Sequence, residues 1–358
     1  MCDPDKFDRK QNGSDGKRTG FRLYADGVSR EEGNRFLLGY LKLLFSIFGT
    51  ILVSGAVLRF LILGPVSCSS LNSKEIAPPV IDGELAMKYA QENYDLGPKV
   101  FRTEGAKKSA EWIAAQAQKI PGFDKAGRVR IIPPTRGEYN VEITFPGKEP
   151  KFVVIGAHHD TKRLFSVPDF AGANDGASGV GALLAMADAL TKYAQKDILP
   201  CTVRLVFFDG EEALYQYTET DGLVGSRAYV AMLGTDGGID RMRAMILLDM
   251  IGDKDLHIDL AGNSTPALAD IVMSEAKAAG YAGKFSRGST DMLDDHYPFL
   301  QAKIPAVDLI DFDFGPDNRY WHTGADTMDK VSAESIKTAA DVALRTVWRL
   351  AENGFADL

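Results

Sequence analysis

Apolar strand-like runs alternate with amphipathic helical patterns along most of this chain, from about residue 80 to its end. The run 152–157 reads FVVIGA and has no polar residue, which is typical of a strand whose sheet is covered on both faces. Strands that alternate with helices favour a mostly parallel sheet flanked by helices. The sequence therefore predicts an α/β three-layer sandwich over residues 80–358.

The hydrophobic periodicity also predicts the individual elements of this domain. Helices are expected over Gly83–Tyr94, Gly105–Lys119, Ala177–Ala194, Thr265–Ala279 and Ala333–Glu352, and strands over Val129–Pro133, Tyr139–Phe145, Phe152–Ala157, Thr202–Phe208, Ala244–Met250 and Ala306–Asp311.

A different kind of sequence precedes this domain. Residues 1–35 are rich in charge and lack a sustained apolar period, so we predict a disordered tail there. Residues 36–66 are apolar, and Lys42 and Arg59 bracket a central part that has no charged residue. This segment is long enough to cross a bilayer, which predicts a transmembrane or signal-anchor helix. Residues 67–79 are polar and contain proline, as a linker does.

The charges around the apolar segment predict its orientation. Arg35 and Lys42 lie on its N-terminal side, so the positive-inside rule places the tail in the cytoplasm. We therefore expect a membrane-anchored protein whose domain lies outside the cytoplasm, in the periplasm or the extracellular space. If the segment is a cleaved signal peptide, the domain is secreted. A buried core helix is disfavoured because the segment is apolar on all sides.

The net charge and the cysteine count exclude several classes of protein. The chain has 41 basic and 49 acidic residues, and its first 42 residues hold 9 basic and 7 acidic ones, so the rest holds 32 and 42. The body thus has no basic surplus, and no nucleic-acid partner is expected. Three scattered cysteines exclude a disulfide framework and a cysteine-rich zinc site.

Histidines and acids follow the predicted strands at the points where the strands end. In open α/β sheets, sites form where loops leave the carboxyl ends of strands. Each residue alone could be a turn or helix-cap residue. Together they suit a zinc site, since zinc accepts imidazole nitrogen and carboxylate oxygen, and a neighbouring free carboxylate can act as a general base. The set comprises His158, Asp160, Asp175, Glu211, Glu212, Asp249 and His322.

Six motifs occur in an order that is similar to metallopeptidase family 28. They are GAHHDTK (156–162), GANDGASGVG (172–181), FFDGEEA (207–213), LLDMIGD (247–253), DDHYPFL (294–300) and YWHTGADT (320–327). The resemblance covers roughly residues 80–355. That family contains zinc aminopeptidases and animal-type glutaminyl-peptide cyclotransferases.

The resemblance implies roles for individual residues. His158, Asp175, Glu212, Asp249 and His322 match the five ligand positions of the two-zinc aminopeptidases, with Asp175 bridging. In the cyclases, Asp175, Glu212 and His322 match the ligands of a single zinc. Glu211 matches the general base or proton shuttle, and Asp249 and Asp294 match a pair that hydrogen-bonds around it. Asp160 matches the acid that supports His158.

Several details resemble the cyclase branch. Lys162 follows His-x-Asp-Thr, and Tyr217 falls where the animal enzymes place a pocket tryptophan. Trp321 directly precedes His322, so Tyr217 and Trp321 are expected to line the substrate pocket. The cysteine pair of the animal cyclases is absent, since Ala157 and Val180 stand there.

Three functions remain open at this point. The favoured one is a cyclase that converts N-terminal glutamine to pyroglutamate with one zinc. The alternative is an aminopeptidase that hydrolyses N-terminal residues with two zincs, so peptide or protein N-termini are the substrate in both cases. A membrane-tethered binding module without activity is disfavoured because every ligand position and the base are intact.

Overall fold

The computed structural model of the protein describes residues 77–358, and they build one mixed sheet with helices on both faces. The eight strands of this part of the chain lie side by side in the order β1-β2-β4-β3-β5-β8-β6-β7. Their bounds are β1 Arg128–Ile131, β2 Val141–Phe145, β3 Phe152–His158, β4 Thr202–Phe208, β5 Met242–Asp249, β6 Ile258–Leu260, β7 Phe285–Arg287 and β8 Ala306–Ile310.

The centre of the sheet is parallel and its flanks are partly antiparallel. Strands β4, β3, β5 and β8 run parallel to one another. Strand β2 is antiparallel to both β1 and β4, and β6 is antiparallel to β8 while β7 is parallel to β6. The predicted mostly parallel sheet therefore holds for the core strands, and the sheet as a whole is mixed.

Eight α-helices lie within the described residues. They are α1 Gly83–Tyr94, α2 Glu104–Lys119, α3 Phe123–Ala126, α4 Gly179–Ala194, α5 Val224–Asp236, α6 Pro266–Ala278, α7 Tyr297–Gln301 and α8 Ala333–Glu352. A π-type turn, Ala173–Ser178, leads into α4, and short 3₁₀ turns cover Ala282–Lys284, Pro316–Asn318 and Met328–Lys330. Side-chain caps fix two of the helix starts: Asp82 accepts the N–H of Leu85, and Ser332 accepts the N–H of Ser335.

The side chains of β3 show why the sheet needs helices on both faces. Val153 and Ile155 point into the larger core, which is closed by α1, α2, α4, α6 and α8. Phe152 and Val154 alternate with them and point into the smaller core, which contains Tyr229 of α5 and residues of α7. All seven residues of β3 are buried, as its apolar sequence predicts.

The predictions for the first part of the chain lie outside the described residues. The tail at 1–35, the apolar helix at 36–66 and nearly all of the linker at 67–79 precede residue 77. Among the helices of residues 77–358, none has the length and apolarity needed to cross a bilayer.

Candidate metal centre

The predicted site residues meet at the carboxyl edge of the parallel strands. His158 and Asp249 are the last residues of β3 and β5. Glu211 and Glu212 lie in the loop after β4, and His322 lies in the loop between β8 and α8. Asp175 belongs to the π-type turn before α4. Because neighbouring parallel strands end at the same edge, residues that are far apart in sequence converge there.

The first group of possible metal ligands comprises His158, Asp175 and Asp249. The Nε2 atom of His158 lies 3.2 Å from an oxygen of Asp175 and 3.2 Å from an oxygen of Asp249. The Nδ1 atom of His158 lies 3.2 Å from the main-chain oxygen of Asp160. When Nδ1–H donates to that carbonyl, Nε2 is left as the free lone pair that a metal requires.

The second group comprises Asp175, Glu212 and His322. The Nε2 atom of His322 lies 2.7 Å from Glu212 Oε1 and 3.1 Å from Asp175 Oδ2. Asp175 therefore contacts both histidines, one with each of its carboxylate oxygens. This is the position that a carboxylate bridging two ligand groups must occupy.

The donor set fits a divalent cation. Each histidine directs one nitrogen toward two carboxylate oxygens, and a single proton on that nitrogen can satisfy only one of them. Asp175 Oδ2 is buried and has no hydrogen bond of good geometry. Imidazole nitrogens and carboxylate oxygens are zinc ligands, and these five side chains would supply them without any cysteine.

The histidines and carboxylates of the two ligand groups shift one another's pKa values. Burial acts to raise the pKa of Asp175, but the rings of His158 and His322 hold it well below its usual range. Burial acts to lower the pKa of His322, but Asp175 and Glu212 raise it to about 10. The carboxylates thus favour the protonated form of His322 in the metal-free protein, and metal binding there competes with that proton.

Glu211 lies beside the ligands but is not in either group. It is buried, and its Oε1 accepts the hydroxyl of Tyr217 at 2.9 Å. Burial and then the negative charge of Glu212 raise the pKa of Glu211 well above its usual value. A carboxyl group with a raised pKa is suited to accept and return a proton near neutral pH.

Asp160 supports the site in a different way from the one predicted. Its carboxylate lies 3.7 Å from His158 Nδ1, which is too long for a hydrogen bond. The two oxygens instead accept the main-chain N–H groups of Glu211 at 3.1 Å and Glu212 at 3.2 Å. The carbonyl of Asp160 orients His158, while its carboxylate holds the loop that carries the two glutamates.

Two aromatic side chains lie beside the site, and their role in lining a substrate pocket stays a prediction. The Trp321 ring stacks on His322 with ring centroids 4.0 Å apart. Tyr217 is about one-third exposed, and its hydroxyl reaches both Glu211 and Glu212. The ammonium of Lys162 lies 5.2 Å above the Tyr217 ring and donates to Glu212 Oε2 at 3.0 Å.

Asp294 is buried near these groups, and its role stays a prediction. Its Oδ1 accepts the N–H of Asp295, while Asp249 Oδ1 contacts His158. Within residues 77–358, no hydrogen bond joins Asp249 or Asp294 to Glu211. Ionised carboxylates cannot donate to one another, so the predicted hydrogen-bonding arrangement requires at least one bound proton.

A buried acid–histidine contact behind the site was missed by the sequence analysis. His296 Nε2 lies 3.0 Å from Asn263 Oδ1, which also accepts the N–H of Met292, so the ring donates through Nε2. His296 Nδ1 is then the ring nitrogen without a hydrogen, and it lies 3.6 Å from Asp308 Oδ2. Burial raises the pKa of Asp308 and lowers that of His296 to about 4. Burial therefore favours the neutral form of both side chains. The only sequence signal was an acid inside the apolar run AVDLI.

Comparison with known proteins places the chain among enzymes of two kinds. The sequence matches peptidase family M28 over residues 140–347, more than half of the chain. The glutaminyl-peptide cyclotransferase of Drosophila melanogaster is 27% identical, over 64% of this chain and 70% of that protein. That of Dictyostelium discoideum is 30% identical, over 52% of this chain and 58% of that protein. Leucine aminopeptidase 1 of Ajellomyces dermatitidis is 27% identical, over 73% of this chain and 68% of that protein.

Solved structures agree with this placement. The glutaminyl cyclase of an Acidobacteriales bacterium is 32% identical, with a TM-score of 0.68, over 78% of this chain and 97% of that structure. A leucine aminopeptidase precursor from Bacteroides thetaiotaomicron is 25% identical, with a TM-score of 0.61, over 75% of this chain and 98% of that structure. From the matched sequence, the fold and the two ligand groups, we conclude that this chain belongs to peptidase family M28.

Proposed function

We propose that this protein is a zinc-dependent glutaminyl-peptide cyclotransferase, which converts an N-terminal glutamine into pyroglutamate and releases ammonia. The likeness to bacterial glutaminyl cyclases supports this choice, since one of them is 32% identical over almost its whole length. The observation that carries it is the position of Lys162, whose place after His-x-Asp-Thr matches the cyclase branch and whose ammonium contacts Glu212.

Lys162 forms a salt bridge with Glu212, one of the possible metal ligands. Its Nζ lies 3.0 Å from Glu212 Oε2, and its side chain is 18% exposed, so solvent screens this charge only in part. This positive charge opposes any cation in the site, and most strongly the cation that Glu212 itself would hold. The set Asp175, Glu212 and His322 matches the ligands of the single zinc in the cyclases, and this match supports one zinc per chain.

A zinc ion bound there would act as a Lewis acid that polarises the γ-carboxamide of the substrate glutamine. Trp321 and Tyr217 would wall the pocket that holds this side chain. Rings in those positions would keep water from the reacting carbon. Exclusion of water matters because hydrolysis of the carboxamide competes with cyclisation.

Glu211 would carry the proton through the reaction. The free α-amine of the substrate attacks the γ-carbonyl carbon, so that a carbon–nitrogen bond forms and closes the ring. Glu211 takes the proton that the amine loses and gives it to the amide nitrogen. That nitrogen departs as ammonia when its bond to carbon breaks, and no water is consumed. The hydroxyl of Tyr217 and the main-chain bond to Asp160 hold Glu211 in place for both transfers.

A zinc aminopeptidase is the second candidate, and one observation favours it. His158 contacts one oxygen of Asp175 and His322 contacts the other, and His158, Asp175 and Asp249 form a complete second ligand group. With two zincs, the same Glu211 would act as the general base for attack by water on the first peptide bond.

Mass spectrometry of two peptides separates these functions. The full-length, zinc-loaded protein is incubated with a glutaminyl peptide and with a leucyl peptide of otherwise equal sequence. A cyclase removes the mass of ammonia from the glutaminyl peptide and leaves the leucyl peptide intact, with about one zinc per chain. Release of free leucine without ammonia from the glutaminyl peptide would refute the cyclase. If neither peptide changes, the enzymatic proposal fails and a binding module remains.

We also propose that residues 36–66 anchor the protein in a membrane with the catalytic domain outside the cytoplasm. The apolar sequence and the basic residues on its N-terminal side support this. The full-length protein should stay in the membrane pellet after alkaline carbonate washing, and protease added to spheroplasts, in which the cytoplasmic membrane is intact, should digest the domain. Recovery in the soluble cytoplasmic fraction would contradict the proposal, and recovery in the medium would indicate cleavage.

A further inference from the structure

The main chain around Asp175 has an unusual conformation that something must hold. Asp175 lies at φ −81° and ψ 88° inside the turn, between Gly172 and Gly176, which both have positive φ. A Cβ atom at Gly172 would collide with the carbonyl oxygen of Asp175. Since Asp175 reaches both histidines, a small shift of this turn would pull it away from at least one of them.

Asp326 holds the middle of this turn. Its Oδ1 accepts the N–H of Asn174 at 2.8 Å, and its Oδ2 accepts the N–H of Asp175 at 3.2 Å. Asp326 is buried and follows His322 by four residues in the same loop. One carboxylate therefore connects the loop of Asp175 to the loop of His322.

The same pattern of hydrogen bonds occurs a second time in the site. Asp160 accepts the successive N–H groups of Glu211 and Glu212, just as Asp326 accepts those of Asn174 and Asp175. In both cases a buried aspartate binds two adjacent main-chain donors of a loop that carries a metal ligand. The repetition indicates a shared purpose, which is to fix the position of ligand loops.

Lys99 holds the start of the turn from the other side. It is fully buried, and its Nζ donates to the carbonyl of Ala171 at 2.8 Å and to that of Gly97 at 3.2 Å. Burial lowers the pKa of Lys99 to about 7, while the nearby charges of Asp326, Asp160 and Asp175 act to raise it. Lys99 thus adds a hydrogen bond just before Gly172, and its amino group lies near three buried acids.

We propose that Asp326 is a positioning residue of the metal centre, and that with Lys99 it fixes the turn that carries Asp175 and so sets the affinity for zinc. This inference rests on the proposed zinc site but not on which reaction that site performs. Neither residue is expected to touch the metal or the substrate.

The test is the zinc affinity of full-length variants, measured by competition with a chromophoric chelator. In Asp326→Asn, an amide NH₂ replaces one of the two acceptors, so one main-chain donor loses its partner. Loss of such supporting hydrogen bonds typically weakens metal binding by about 10- to 100-fold. We expect a loss in that range for Asp326→Asn, and a smaller but measurable loss for Lys99→Met, which keeps the apolar stem of the side chain.

Asp341→Asn is the matched control. Asp341 is also largely buried and accepts a main-chain N–H, that of Ile81 at 2.9 Å, but it contacts no ligand loop. It should lower the melting temperature of the metal-free protein without changing zinc affinity by more than about twofold. Equal losses in Asp326→Asn and Asp341→Asn would show that general destabilisation is the cause and would overturn the proposal.

Two further outcomes are informative. Zinc affinity within about twofold of wild type in folded Asp326→Asn overturns the proposal directly. If Asp326→Asn does not fold, Lys99→Met decides, and unchanged zinc affinity in that variant overturns it. If the wild-type protein binds no zinc, the proposed metal site itself has failed, which is visible before any variant is compared.

Discussion

Glu211 and Glu212 are neighbours in the chain, and substituting each in turn separates proton transfer from metal binding. In Glu211→Gln the side chain keeps its size, and its amide oxygen still accepts the hydroxyl of Tyr217. The main-chain N–H of residue 211 still donates to Asp160, since that bond does not involve the side chain. What is lost is the ability to take up and return a proton, together with the negative charge of the ionised carboxylate.

The expected fall in kcat follows from the loss of proton transfer. General acid–base catalysis contributes about 10²- to 10⁴-fold to a rate, which corresponds to about 3–5 kcal/mol of transition-state stabilisation. We expect kcat for ammonia release to fall by this factor in Glu211→Gln, with zinc affinity within about threefold of wild type. Glu212→Gln should instead lose zinc affinity, because Glu212 Oε1 approaches the ring nitrogen of His322 at 2.7 Å and belongs to the ligand group.

The assay combines ammonia release from a glutaminyl peptide at saturating zinc with chelator competition on both variants. Circular dichroism checks that both are folded. A Glu211→Gln protein that keeps more than about one-tenth of the wild-type kcat would refute the role of Glu211 as proton carrier. Equal zinc affinities for the two variants would refute the division of roles between the neighbouring glutamates.

Four other outcomes are expected. Removal of metal with a chelator should abolish activity, and added zinc should restore it, whereas activity that survives complete removal would contradict the zinc site. Burial and the charge of Glu212 raise the pKa of Glu211 in the folded state. At pH values above about 4.3, which is the pKa of glutamate in the unfolded chain, Glu211 therefore destabilises the folded metal-free protein. Metal-free Glu211→Gln should therefore melt above metal-free wild type at pH 7, with the difference vanishing as the pH falls below about 4; an equal difference at both pH values would contradict this. Lys162→Met should tighten zinc binding in chelator competition, because no ammonium then repels the cation held by Glu212, and an unchanged affinity would contradict that repulsion. Phe299→Ala should cost about 3–5 kcal/mol in urea unfolding, since Phe299 is fully buried against Phe208, while Phe165→Ala at a residue 76% exposed should cost less than about 0.5 kcal/mol.

The parts of the fold that could be predicted are those with a long local pattern. The helix Gly83–Tyr94 and the strand Thr202–Phe208 have the predicted bounds, because each is a continuous stretch with a clear period or a continuous apolar run. Strands β6 and β7 were missed because three residues are too few to show a period. Helix α5 was missed because its sequence, VGSRAYVAMLGTD, has no distinct apolar face.

The candidate site likewise has parts that could be predicted from the sequence and parts that could not. Its ligands could be found because parallel strands bring their carboxyl ends to one edge, so an acid or histidine after each strand is informative. The supporting contacts could not be found, since they join a side chain to main-chain groups across long sequence separations. Asp326 bonds to Asn174 at a separation of 152 residues, and no local pattern records that contact.

The charge of the site leaves the number of metal ions to the ligand groups. Asp175, Glu212 and Asp249 carry three negative charges when ionised, and one divalent cation together with the ammonium of Lys162 balances them. Asp160 and Asp326 are buried beside the same loops, and when ionised they add negative charge that a second cation would balance. Proton transfer by Glu211 is needed with one zinc or with two. The choice between carboxamide activation and peptide hydrolysis therefore depends on whether His158 and Asp249 bind a second cation, which metal analysis of the active protein measures.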